Sequence, residues 1–170
     1  MVCHDGSEAS QAALDTVEHS LLRNCDKLMV GHAWSRDKEE YLKYNLKRDY
    51  VKQQLTANGT YLADRFSYVD REIVSDNHES AKSILGDLAN EFEATITVVG
   101  MHGRKGPKED PTIMGSSVQY MAMQSPLPVM IIKDPKSRKS RPEGFLMAVC
   151  SDGSKKSLEG LALMCKLRSP

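Results

Sequence analysis

Thr95-Ile96-Thr97-Val98-Val99-Gly100-Met101-His102-Gly103-Arg104 is the stretch from which the fold can be read. Its first five residues are all β-branched, which suits a strand buried on both faces, and such strands belong to parallel sheets covered by helices on either side. The run stops at a glycine and opens into a polar loop. Upstream, residues 79–92 place Ala81, Ile84, Leu85, Leu88 and Phe92 on one helical face, with Asp76-Asn77 offering the cap, and 69–75 reads as another strand. Further back, a polar helix over 38–58 ends at Asn58-Gly59, a helix-stop signal, and 27–34 is a strand centred on Leu28, Met29 and Val30. A short strand before Asp5 leads into a helix over 9–24. Downstream, Gly115 opens a helix to about residue 124, and 129–133 makes the fifth strand. Strands alternating with helices in this way build right-handed βαβ units and an α/β fold on a parallel sheet.

The 170 residues suit one domain, and 23 Lys and Arg balance 23 Asp and Glu. That neutrality removes the electrostatic case for a nucleic-acid or membrane-surface binder and leaves small molecules or proteins as partners. No apolar run is long enough to span a bilayer, and Met1-Val2-Cys3-His4-Asp5 lacks the layout of a signal peptide, so a cytoplasmic protein is expected. Cys3, Cys25, Cys150 and Cys165 form no C-x-x-C pair and are read as buried, reduced thiols.

The chain also repeats itself. Val2-Cys3-His4-Asp5-Gly6-Ser7 returns as Val149-Cys150-Ser151-Asp152-Gly153-Ser154, with five of six residues identical, 147 positions later. Each copy leads into a helix, the second over 155–167. This divides the chain into a domain over 1–133, a basic, proline-containing linker over 134–144, and the strand–helix start of an incomplete second repeat over 145–170. A lone apolar strand and helix are unstable in water, so this last segment is expected to dock on the sheet of its own chain or of a neighbour.

Ligands of open parallel sheets gather at the carboxyl ends of the strands, where helix N-termini converge. Here those ends carry Asp5, His32-Ala33 and the Gly100–Arg104 loop, followed by Gly115-Ser116-Ser117 at a helix start. Glycines at 100, 103 and 115 permit close backbone approach, and the free amides of Ser116, Ser117 and Val118 suit an anion. The plainer readings stand beside this one. Asp-Gly is a common turn pair, so Asp5 alone reads equally as a turn residue and gains weight as a ligand contact only from the glycine-serine loop. Asp152, with no such loop, reads as structural. His32 and His102 read as hydrogen-bonded structural histidines, the basic run in the linker as solvated charge, and the late methionines as core filling. No nucleophile, base and orienting acid appear together, and no Walker lysine precedes Gly115, which ranks binding ahead of hydrolysis.

Val98-Val99-Gly100-Met101-His102-Gly103-Arg104, then Gly115-Ser116-Ser117, then Ser125-Pro126-Leu127-Pro128-Val129-Met130-Ile131-Ile132, together with Asp5-Gly6-Ser7, resemble the universal stress protein family over roughly residues 1 to 133. The resemblance implies an open five-stranded parallel sheet of order 3-2-1-4-5 with helices on both faces, a Rossmann-like fold of the adenine nucleotide alpha hydrolase-like type. It also implies a homodimer through the fifth strand and, in the branch marked by G-x2-G-x9-G-[S/T], an ATP or AMP site that could take magnesium with the nucleotide. On that pattern Asp5 would bind the ribose and the Ala33 backbone the adenine edge. Val99 and Gly100 would lie beside the nucleotide, Gly103 and Arg104 would begin the phosphate loop, and Gly115, Ser116 and Ser117 would hold the phosphates. The implied function is that of a stress-response sensor or carrier, rather than an enzyme. Eleven residues, against nine in the pattern, separate Gly103 from Gly115, and Gly106-Pro107-Lys108-Glu109-Asp110-Pro111 holds the extra length. An outward bulge keeps both glycine anchors in place. The alternative is an interaction module of the same fold that has given up its nucleotide.

Overall fold

The computed structural model describes residues 1–23, 25–35, 47–75, 80–104, 113–133, 148 and 150–168. The chain divides into two units, Met1–Pro135 and Lys136–Pro170. In the first, the elements run β1 (Val2–Cys3), α1 (Glu8–Ser20), β2 (Lys27–Ser35), α2 (Arg48–Ala63), β3 (Ser67–Ser75), α3 (Ala81–Glu91), β4 (Thr97–Gly100), α4 (Ser116–Gln124) and β5 (Val129–Ile132). All strand pairings are parallel and the order is β3-β2-β1-β4-β5. From β1 the chain first builds outward to β3 and then returns to lay β4 on the other side, so the switch point lies between β1 and β4.

Alternation along the strands explains the two layers. Val2, Leu28, Val30 and Val98 pack with Leu14 and Val17 of α1 and Val51, Leu55 and Leu62 of α2. Their neighbours Cys3, Met29 and Val99 pack on the opposite face with Leu88 and Ala89 of α3 and Val118 and Met121 of α4. The period of two thus sends successive residues of one strand into two different cores, and both faces must be apolar. Although β1 has only two residues, its ladder continues at either end. Val98 N donates to Met1 O at 2.8 Å, and His4 N donates to Gly31 O at 2.9 Å.

Several local expectations change. Asn58-Gly59 does not stop α2, which continues to Ala63. Gly59 is buried, and a Cβ there would lie 2.8 Å from Cε1 of Tyr68, so this glycine lets the helix approach β3. The cap of α3 is Ser80, whose side chain accepts from Ser83 N; Asp76-Asn77 lies outside the described residues. The proposed start of α2 near 38 falls outside them too. Of the four cysteines only Cys3 is buried, whereas Cys25, Cys150 and Cys165 are exposed thiols. Cys25 sits in the short connection after α1, and the other two belong to the second unit, none of whose described residues is buried.

In the second unit, α5 (Lys155–Arg168) follows the repeated Asp152-Gly153-Ser154 turn. The strand expected to open the second repeat from residue 145 and the linker over 134–144 lie almost wholly outside the described residues.

Candidate functional site

The turn after β1 is built by Asp5, Gly6 and Ser7. Gly6 has φ +81°, a left-handed conformation that favours glycine. One carboxylate oxygen of Asp5, Oδ1, accepts from Ser7 N at 3.1 Å and from Ser7 Oγ at 2.6 Å. Ser7 in turn caps α1 by accepting from Ser10 N, and Ser10 Oγ donates back to Ser7 O at 2.9 Å. The Asp5 side chain is thereby fixed in direction, with Oδ2 turned toward the loop after β4.

There Oδ2 accepts from Arg104 N at 2.9 Å, across 99 residues of sequence. Gly103 is equally close: a Cβ on it would stand 3.0 Å from the same oxygen. Gly115 then closes on this loop, donating its N–H to Met101 O at 3.0 Å, and its Cβ position lies 3.6 Å from Gly103 N. Asp5, Gly103, Arg104 and Gly115 therefore meet at the switch point of the sheet. Gly115 is the N-cap of α4 and supplies no side-chain acceptor, unlike Ser7 on α1 and Ser80 on α3. The first amides of α4 consequently lack the usual internal cap, as do those of α2 behind Lys47. Ser116 and Ser117 are exposed on that first turn.

The Arg104 side chain runs on to β2. Nη2 donates to Ala33 O at 2.9 Å, and Cζ stands 4.6 Å from the centroid of the Trp34 ring. Burial lowers the Arg104 pKa from its usual value, with the Asp5 charge opposing the shift. Trp34 is 1% exposed, and its indole nitrogen has no hydrogen-bond partner among the described residues. His32 lies 5.7 Å away, ring centre to ring centre. Its Nδ1 pairs with His4 O at 2.6 Å, which makes Nδ1 the protonated nitrogen, and Nε2 is left without a partner among the described residues. His4 is held the other way round. Gly6 N donates to its Nδ1 at 3.3 Å, so Nε2 carries the proton and meets Gln11 Oε1 at 3.2 Å. Burial is the main cause lowering the pKa of both histidines, which favours neutral rings.

Two candidate residues have structural reasons to be what they are. A Cβ on Gly100 would fall 2.4 Å from the backbone of Ala9, so this glycine admits α1 to the sheet and needs no ligand to explain it. Val99 faces the core beside Val118. His102 is half-buried, and the loop residues 105–112, including the extra length, lie outside the described residues.

Trp34 and Ser10 are the neighbours that sequence reasoning missed. For Ser10 a signal existed: the repeat extends to D-G-S-x-x-S, with Ser157 in the place of Ser10. The second copy reproduces three of these bonds. Ser154 N donates to Asp152 Oδ1 at 2.9 Å, Ser157 N to Ser154 Oγ at 3.3 Å, and Ser157 Oγ to Ser154 O at 2.9 Å, around a Gly153 with φ +78°. Bonds from Ser154 hold the exposed Asp152 carboxyl at about 2. The motif is thus a self-contained turn and helix cap, as the structural reading of Asp152 requires.

A model described as the Universal stress protein family matches residues 1–133. No curated protein sequence matches the chain significantly. Among solved structures, hypothetical protein MJ0577, reported as a structure-based assignment of biochemical function, is similar at 20% identity and TM-score 0.59, covering 78% of this chain and 93% of that one. Hypothetical protein PH0823 is similar at 17% identity and TM-score 0.53, covering 78% and 92%. A protein from the universal stress protein family of Burkholderia pseudomallei is similar at 17% identity and TM-score 0.52, covering 78% and 93%. At these identities the likeness concerns the fold.

Proposed function

Because the chain belongs to the universal stress protein family, we propose that its first unit binds an adenine nucleotide, ATP or AMP, at the carboxyl ends of its strands and serves as a cytoplasmic sensor or carrier in a stress response. The observation that carries this reading is the meeting of Asp5, Gly103 and the uncapped start of α4 at one switch point. A carboxylate suits the vicinal hydroxyls of ribose, and helix-end amides with the Ser116 and Ser117 hydroxyls suit phosphate. Ala33 offers a backbone edge near the end of β2 to the base, and Val99 and Gly100 lie at the end of β4, on the other side of β1. Among the described residues no three His, Cys, Asp or Glu side chains gather as a metal site, so magnesium is expected to arrive with a triphosphate. Pairing of two chains through β5 is part of the proposal. That strand lies at the edge of the sheet, and its four residues are half-buried.

The test is to denature the purified protein and search the supernatant for nucleotide by mass spectrometry, with calorimetry on the stripped protein. ATP, ADP or AMP is expected in the supernatant or as a calorimetric ligand. Neither at millimolar nucleotide would sink the proposal. A second reading, a nucleotide-free interaction module of the same fold, is favoured by the longer loop between Gly103 and Gly115 and by the occupation of Ala33 O by Arg104.

A further inference from the structure

The backbone edge assigned to the base is already engaged by the chain's own Arg104. Its guanidinium offers an N–H to Ala33 O at 2.9 Å while lying 4.6 Å from the Trp34 ring centroid. Adenine presents the same two features, a flat π surface and an exocyclic amino group that donates at its edge. Either group satisfies a carbonyl and covers an indole.

We infer that Arg104 is an internal stand-in for the base: in the free chain it closes the seat formed by Ala33 and Trp34, and an adenine nucleotide binds by displacing it and stacking on Trp34. This inference rests on reading the site as one for nucleotides. Three further observations support it. The backbone of Arg104 is tied separately to Asp5 Oδ2, so the side chain pivots while the loop stays anchored. Its partly buried charge loses hydration in the closed position, which limits how firmly it is held. Trp34 is almost wholly covered, yet its N–H is unpaired among the described residues, so this ring contributes a π face and no internal hydrogen bond. The acceptor at Ala33 also selects among purines. Adenine donates at its six-position, where guanine presents a carbonyl oxygen that would oppose Ala33 O.

Trp34 is the single tryptophan of the chain, so its emission reads the seat directly. AMP added to the stripped wild-type protein is expected to change that emission, with GMP binding at least about tenfold more weakly. Arg104→Ala should expose the ring, red-shift the emission and tighten AMP binding by about tenfold, the gain from a seat otherwise closed nine-tenths of the time. Arg104→Lys, which keeps charge without the planar fork, should fall between the two and serves if Arg104→Ala folds poorly. Calorimetric AMP binding that leaves Trp34 emission unchanged, or that is equal or weaker in both variants, overturns the stand-in and leaves the nucleotide reading intact. No binding of AMP or of ATP to wild type or to either variant overturns both. Binding to the variants alone supports the stand-in in its strongest form.

Discussion

At the scale of single residues, burial couples two histidines to the stability of the sheet. His4 and His32 are 3% and 1% exposed, and burial depresses both pKa values below the ordinary value near 6.5. Between the folded and unfolded values the unfolded chain binds more protons. Stability therefore rises with pH in that window, is fully present above about 6.5, and falls as the pH drops below it. Glu72 adds a separate effect at lower pH. The hydrogen bonds from Arg48, at 3.0 and 2.9 Å, hold its carboxyl below the usual range, so its contribution is present above about 4.3 and disappears as acid protonates it. Urea unfolding at pH 7, 6 and 5 should show a midpoint that falls across the first interval with a slope of up to about two protons. His32→Asn keeps a donor where Nδ1 meets His4 O, and it should remove about one of those protons. An unchanged slope in that variant would mean that His32 does not titrate as its burial demands.

At the scale of elements, glycines of one sequence motif serve different ends. Gly100 lets α1 cross β4, because a Cβ would sit 2.4 Å from the carbonyl carbon and oxygen of Ala9, and backbone cannot turn aside as a side chain can. Gly115 has φ −61° and a nearest neighbour at 3.5 Å from its Cβ position, which is ordinary contact. Gly100→Ala is accordingly expected to lower stability by about 1–3 kcal/mol or more, and Gly115→Ala to change it by less than about 0.5 kcal/mol, read from urea midpoints. Equal losses would mean that the two glycines share one structural role. The distinction was invisible in the sequence, since it depends on which helix crosses which strand. What periodicity did convey was the order of strands and helices, because alternation and the helical apolar stripe are local. It placed Asp5, Gly103 and Gly115 at strand and helix ends for the same reason. The continuation of α2 through Asn58-Gly59 was not legible, because the contact of Gly59 with Tyr68 is made between elements. Trp34 passed unremarked as a strand residue, since its contact with Arg104 joins positions 70 residues apart.

At the scale of the whole molecule, the two units differ in what their helices bury. Both core clusters draw every member from residues between Met1 and Ile132, so the sheet completes its two layers within the first unit. The helix of the second unit resembles α1 in more than its cap. At the same spacing of 147, Ser157, Gly160, Leu161 and Met164 take the places of Ser10, Ala13, Leu14 and Val17, which α1 buries. None of the described side chains of α5 is buried, and Leu158 and Leu161 are exposed. A helix of fourteen residues is marginal in water by itself, whereas one packed on a sheet unfolds with it. A chain ended at Pro135 should therefore keep its cooperative thermal transition, with a midpoint within about 4 °C of the full chain, equivalent to at most roughly 1 kcal/mol. The full chain should show additional helical ellipticity that fades gradually with heating, ahead of the cooperative step. A fall of more than about 10 °C on truncation, several kcal/mol on the same scale, would show instead that the strand–helix copy docks on a sheet of this design, in its own chain or a neighbour's. Because an exchanged copy needs a second chain and an internal one does not, the dependence of that difference on protein concentration would separate the two arrangements.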